Sequence, residues 1–191
     1  MPKPSIGFAM CGSFCTFSRA LPVMEALLHD GCDVIPIMSE TAYSTDTRFG
    51  KAADFTDKIE KLTNHKIIHT IRDAEPIGPR EMCDLLIVAP CTGNTLAKLA
   101  HGITDTAVTM AVKSHLRILR PVLLCAATND ALGASAQNIG RLMNTKNIYF
   151  VPLSQDDPQK KPKSLVADFS KIPEYADKAL AGIQAQPVIT L

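Results

Sequence analysis

The sequence predicts an α/β fold: a doubly wound parallel sheet of about six strands in a three-layer sandwich, followed by a C-terminal loop and helix. Three observations predict it. Six short apolar runs rich in Val, Ile and Leu recur along the chain with little polar alternation, as in strands covered on both faces. Segments with apolar residues at helical spacing separate most of them. Strand and helix alternating at this spacing form βαβ units with right-handed crossovers.

The first run, Ile6–Cys11, stops at Gly12. A helix over Phe17–His29 follows, with Leu21, Met24, Leu27 and Leu28 on one side and Gly31 as its stop. After the second run, Asp33–Ser39, the segment Ala53–Thr63 places Phe55, Ile59 and Leu62 at helix spacing. Lys66–Ile71 and Asp84–Pro90 are the third and fourth runs, the latter leading into helices over Thr95–His101 and Asp105–Leu119. Pro121–Ala127, a helix over Ser135–Met143 and the run Asn147–Pro152 complete the alternation. The last quarter departs from it. Ser154–Lys163 is polar and broken by proline, so it is a loop. Pro173–Ala185 reads as an amphipathic helix with Tyr175, Ala179, Leu180 and Ile183 on one face. The expected organisation is an α/β domain over residues 1–153, with residues 154–191 as a loop and helix packed on that same domain.

Composition narrows the function. A chain of 191 residues, 46% hydrophobic and 20% charged, can bury a sizeable core. With Lys plus Arg at 20 and Asp plus Glu at 19, a net charge of +1 gives no electrostatic case for nucleic acid or a membrane surface. No apolar run approaches the ~20 residues of a membrane span. Met1–Ser5 leads into an apolar run that Cys11-Gly12-Ser13 ends, which is no signal peptide. A soluble, cytoplasmic protein is expected. Its six cysteines show no Cys-x-x-Cys pair. The cysteines are therefore expected to be reduced, and no metal site is expected.

Ligands of open parallel sheets bind beyond the carboxyl ends of the strands. After the first run comes Gly12-Ser13-Phe14-Cys15-Thr16, in which Gly12 allows a tight turn while Ser13, Thr16 and a helix N-terminus offer donors to a phosphate. The turn is neither Gly-x-Gly-x-x-Gly nor a P-loop, which argues against a dinucleotide fingerprint and an ATPase. Ser39 follows the second run, Cys91-Thr92-Gly93-Asn94-Thr95 the fourth, and Thr128-Asn129-Asp130 the fifth. Such neutral hydroxyls and amides suit a phosphate joined to a flat heteroaromatic ring. A mononucleotide such as FMN fits this inventory better than a metal does.

At these residues the chain resembles the homo-oligomeric flavin-containing Cys decarboxylase superfamily, whose members bind FMN on a Rossmann-like sheet. Gly12-Ser13 with Thr16 resembles its Gly-Ser-x-Ser phosphate loop. Ala89-Pro90-Cys91-Thr92-Gly93-Asn94-Thr95, continuing through Gly102-Ile103-Thr104-Asp105, resembles its Pro-Ala-Ser-Ala-Asn-Thr segment. Asn129 falls on the Asn of its Pro-x-Met-Asn motif. The resemblance implies FMN held by Gly12, Ser13, Thr16, Ser39, Cys91, Thr92, Asn94, Thr95 and Asn129. It also implies a homo-oligomer built from trimers, for which Thr95–Leu119 is apolar enough to serve as an interface.

The departures are informative. Pro76 stands where the decarboxylases carry a catalytic His, and Ala126 and Thr128 replace the Pro and Met of the Asn motif, so decarboxylation is not expected. Leu116–Cys125 is similar to a passage of the flavin prenyltransferase branch, but Ala127 stands where that branch has Arg. Longer stretches resemble a third branch, one of the two components of an enzyme that makes pyridine-2,6-dicarboxylate during bacterial sporulation. They are Thr45–Gly50, Thr128–Gly133, Leu142–Pro152, and Gln155–Pro158 with Lys161-Pro162 and Ser164–Ala167. This branch implies an oxidoreductase that works with a separate, dehydrogenase-like component carrying NADP or NAD. A prenyltransferase-like enzyme and a non-catalytic partner of that dehydrogenase-like component stand as alternatives. No residue is assigned as the catalytic base. A dicarboxylate substrate calls for cations, with Arg48 the first choice ahead of Arg80, Arg117, Arg120 and Lys161.

Overall fold

The computed structural model describes residues 3–190. The chain runs β1 (Ser5–Met10), α1 (Phe17–His29), β2 (Asp33–Met38), α2 (Glu40–Ser44), α3 (Ala52–Thr63) and α4 (Ile71–Ala74). It continues through β3 (Leu85–Cys91), α5 (Gly93–Ala100), α6 (Ala107–Arg117), β4 (Val122–Thr128), α7 (Ala136–Met143) and β5 (Ile148–Phe150). It ends with β6 (Leu153–Ser154), β7 (Leu165–Ala167) and α8 (Ile172–Leu180). Short 3-10 turns occupy Phe14–Thr16, Glu75–Ile77 and Phe169–Lys171.

The fold is the Rossmann-like α/β sandwich, with a seven-stranded sheet in the order β2-β1-β3-β4-β7-β6 and β5 also on β4. Strands β1 to β5 pair in parallel; β7 runs antiparallel to both β4 and β6. The outer edge of β4 is shared. Val122–Leu124 pair with β5, and Ala127 and Thr128, beyond them, pair with Val166 and Leu165 of β7. That division decides where the C-terminal segment goes: it returns to the carboxyl end of β4. Every residue of β3 and β4 is buried, as strands covered on both faces require. Pro36, which cannot donate to a ladder, is tolerated on β2, at the edge of the strand order.

Three expectations need correction. Lys66–Ile71 is not a strand. Ile68 makes a single bridge to Ile37, after which Thr70 accepts a hydrogen bond from the Asp73 N–H at 3.1 Å and starts α4. The sheet is mixed rather than wholly parallel, because β6 and β7 form a hairpin where only a loop and helix were expected. The last helix stops at Leu180, before a turn in which Gly182 has φ +74°. This leaves Leu180 and Ile183 exposed, while Ile172, Tyr175, Ala176 and Ala179 form the buried face. Among the described residues no helix is long and apolar enough to cross a membrane.

The end of the sheet opposite the carboxyl termini of the strands carries a buried histidine. His115 on α6 is 0% exposed; its Nε2 lies 3.1 Å from the Pro121 carbonyl and its Nδ1 3.7 Å from Cys83 Sγ. Burial pushes its pKa down to about 4, against the raising effect of the Pro121 bond, with Arg120 lowering it further and Asp84 opposing. The unfolded chain therefore binds a proton below pH ~6.5 that the folded chain refuses until about pH 4. Stability is expected to fall as the pH drops through that window, by ~3 kcal/mol from this group. Urea midpoints measured between pH 7 and 4 should show the fall in the wild type and a smaller one in His115→Gln. Equal slopes would clear His115 of the effect.

Candidate functional site

A cavity of about 920 Å³ lies beyond the carboxyl ends of the parallel strands, a size usual for small-molecule sites. Four segments wall it. The turn after β1 is tied to β3 by the Cys11 N–H, which donates to the Pro90 carbonyl at 3.2 Å. Ser13 and Thr16 cap neither the 3-10 turn nor α1 with a side-chain bond. The Thr16 hydroxyl instead donates to the Ser13 carbonyl at 2.7 Å. The first N–H groups of a helix have no partner within it, so an uncapped start beside a cavity is a donor set for an anion.

The second wall is the start of α5. Thr92 accepts a hydrogen bond from the Thr95 N–H at 3.3 Å, and Thr95 donates its own hydroxyl to Cys11 Sγ at 3.2 Å. This stitches the ends of β1 and β3 together beneath the cavity floor. Burial raises the Cys11 thiol to about 11, so it stays neutral near pH 7. The third wall follows β4. Thr128 and Ser135 both donate hydroxyls to Asp130 Oδ1, at 2.5 and 2.8 Å, and hold its carboxyl below the usual range. This triad packs against Gly93, whose missing side chain makes the room: a Cβ there would lie 2.6 Å from Thr128 Oγ1 and 2.8 Å from Ser135 Oγ. The fourth wall is the connection from β6 to β7, with Asp156, Lys161, Ser164 and Val166. Lys161 Nζ lies 2.8 Å from Asp156 Oδ2. Lys161 first and the Ser164 hydroxyl second hold the Asp156 carboxyl low.

Of the residues expected to bind a cofactor, Gly12, Ser13, Thr16, Thr92, Asn94 and Asn129 line this cavity. Ser39, Cys91 and Thr95 are not among its walls. Ser39 caps α2 by accepting the Ala42 N–H at 3.2 Å, Cys91 is fully buried in β3, and Thr95 is committed to Thr92 and Cys11. Arg48 is also outside the walls, exposed in the loop after α2 with its guanidinium 4.9 Å from the centre of the Phe49 ring. The cations in the walls are Arg19 and Lys161. Sequence reasoning missed Arg19, Ser135, Asn138, Asp156 and Ser164. Asp130 stood in the Thr128-Asn129-Asp130 stretch after the fifth apolar run but was given no role, and nothing local marks Arg19 on an amphipathic helix.

The arrangement suits an elongated ligand with an anionic group at the uncapped turn and a polar-edged ring among neutral hydroxyls and amides. Among the described residues, no three His, Cys, Asp or Glu side chains converge as metal ligands.

The family model described as Flavoprotein matches residues 1–177. The chain is 46% identical over 184 residues to the B subunit of dipicolinate synthase from Bacillus subtilis, covering 96% of this chain and 92% of that protein. The crystal structure of the corresponding dipicolinate synthase component from Bacillus halodurans superposes with a TM-score of 0.90 at 44% identity, over 98% of this chain and 96% of that one. DmrB of Burkholderia xenovorans, solved in complex with FMN, shares the fold at a TM-score of 0.70 and 17% identity, over 94% of this chain and 97% of that one.

Proposed function

The chain belongs to the Flavoprotein family, and from that premise we propose that it serves as the FMN-binding B subunit of dipicolinate synthase. It would act in the sporulation cytoplasm with the dehydrogenase-like A subunit of that enzyme, which carries NADP or NAD. One observation carries the proposal: the 46% identity to a dipicolinate synthase component along nearly the whole chain. The substrate is dihydro- or hydroxytetrahydro-dipicolinate. Loss of two hydrogens, and of one water from the hydroxy form, yields aromatic pyridine-2,6-dicarboxylate, and aromatisation drives the reaction.

The residues present fit FMN. Ser13, Thr16 and the uncapped turn they frame take the phosphate, with Gly12 leaving the approach open. Thr92, Asn94 and Asn129 border the ribityl chain and ring edges. Ser39, Cys91 and Thr95 would support these contacts from behind. When bound, FMN supplies an acceptor for the two electrons that leave the substrate ring. Asp130, kept ionised by Thr128 and Ser135, holds a fixed negative charge in the same cavity. The connection from β6 to β7 walls the cavity from the side of β4 and limits access of water. Arg48 is assigned to contact with the substrate or with the dehydrogenase-like partner. The protein assembles as a homo-oligomer based on trimers.

The test is an assay of the two components separately and mixed, read by product absorbance. Activity is expected in the mixture only. Full activity of the dehydrogenase-like partner by itself would overturn the proposal and leave this chain a non-catalytic companion. Activity of this chain alone on a prenyl donor would make it a flavin prenyltransferase.

A further inference from the structure

The walls of the cavity carry two cations, Arg19 and Lys161, and two carboxylates, Asp130 and Asp156. Asp130 is satisfied by two hydroxyls, and Arg19 is exposed with no carboxylate within 4.0 Å among the described residues. Lys161 and Asp156 hold each other at 2.8 Å on a proline-flanked, exposed loop. The Ser164 hydroxyl, in a residue only 2% exposed and next to β7, also helps to hold the Asp156 carboxyl low. One partner of the pair is thus the more buried, its side chain 24% exposed, while the other is a flexible cation whose side chain is 55% exposed.

We propose that Lys161 is an anion-recognition residue restrained by Asp156, and that an anionic oxygen group of the cavity's ligand takes it from that carboxylate. The inference rests on the reading that the cavity holds FMN and a dicarboxylate. The anion is either the flavin phosphate or a carboxylate of the substrate. An ammonium suits this exchange because it is a point charge on a rotatable stem, able to change partners without the fixed fork an Arg would require. Asp156 is then a competitor for Lys161, which sets opposite signs for the two replacements.

The test compares ligands that differ by one anion. Chain freed of flavin is titrated with FMN and with riboflavin; FMN-loaded chain is titrated with dipicolinate and with picolinate. Lys161→Gln is expected to weaken the ligand bearing the recognised anion by about threefold to tenfold, with its partner lacking that anion unchanged. A change in the FMN-to-riboflavin ratio identifies the phosphate, and a change in the dipicolinate-to-picolinate ratio identifies the carboxylate. Asp156→Asn is expected to tighten that same ligand by a similar factor, and Asp156→Ser guards against one variant failing to fold. Lys160→Gln, on the same loop but outside the cavity walls, controls for net charge and should change neither ratio. The effects should shrink in added salt. Both ratios unchanged in Lys161→Gln, or weaker binding in both Asp156 variants, would overturn the exchange. Wild-type chain that binds neither flavin nor dicarboxylate would instead overturn the reading of the cavity.

Discussion

Replacing Ser13 by aspartate is expected to abolish FMN binding. The turn Gly12–Thr16 presents donors and no carboxylate, and its helix start is uncapped. A new carboxylate there would face a phosphate dianion. At ~4 Å and an effective dielectric of ~20, one such pair of charges repels by roughly 4 kcal/mol. Half of that would weaken binding about thirtyfold, and all of it about a thousandfold. The aspartate would also cap the 3-10 turn that Ser13 precedes and take its free N–H groups from the ligand. Ser13→Ala should weaken binding less, since it loses only a hydrogen bond to a charged group, worth ~1.5–3 kcal/mol, and adds no repulsion. Flavin fluorescence titration reads both variants, with circular dichroism as the control for folding. Wild-type affinity in Ser13→Asp would show that the phosphate is not held at this turn.

Much of the fold was legible because buried parallel strands write themselves as continuous apolar runs. α1 coincides with the expected Phe17–His29 at both ends, and β2, β3 and β4 differ from expectation by a residue or so. The misreadings have one physical source. Lys66–Ile71 looks like a strand because Ile67 and Ile68 are packed on the core beside β2, yet the Thr70 cap ends the extended backbone before a ladder can form. In reverse, Leu165–Ala167 is a strand three residues long, too short to show a period. Its pairing is fixed by the half of the β4 edge that β5 leaves open, which is tertiary information.

The site follows the same division. Its strand-end residues were legible because a doubly wound sheet puts ligands at the carboxyl ends of its strands. Ser13, Thr92, Asn94 and Asn129 are all there. Of the fourth wall only Lys161 was legible, as a candidate cation, because Asp156 comes from a loop whose only local signals are proline and charge. The β6–β7 hairpin carries that loop over the end of β4, and the chain must be folded before the two are neighbours. Arg48 lies outside these walls. It belongs to a distinctive stretch on the ligand side of the sheet, yet the loop after α2 closes on itself through Thr47 and Gly50 and carries the guanidinium onto Phe49.

Gly93→Ala is expected to lower both stability and FMN affinity, and the sign of the first is what makes the test decisive. Gly93 opens α5, and its φ is not in the left-handed region, so alanine meets no backbone strain there. Helix propensity alone favours the substitution by roughly 0.5–1 kcal/mol. Space opposes it. A Cβ would lie 2.6 Å from Thr128 Oγ1, 2.8 Å from Ser135 Oγ and 3.0 Å from Asp130 Oδ1. Thr128 and Ser135 are 9% and 3% exposed, and each hydroxyl can yield only by giving up its bond to the Asp130 carboxylate. Losing one such charge-assisted bond removes ~1.5–3 kcal/mol, and losing both leaves an anion at the wall of the cavity without its donors. At ~2–4 °C per kcal/mol for a domain of this size, Tm should fall by about 4–10 °C. FMN affinity should fall with it, because Thr92 and Asn94 flank the displaced residue. Thr128→Ala added to Gly93→Ala removes the nearest of the three oxygens and should recover part of the binding but little of the stability. A Tm equal to or above that of the wild type in the single variant would mean that propensity wins, and that the Thr128–Asp130–Ser135 triad can move aside without loss.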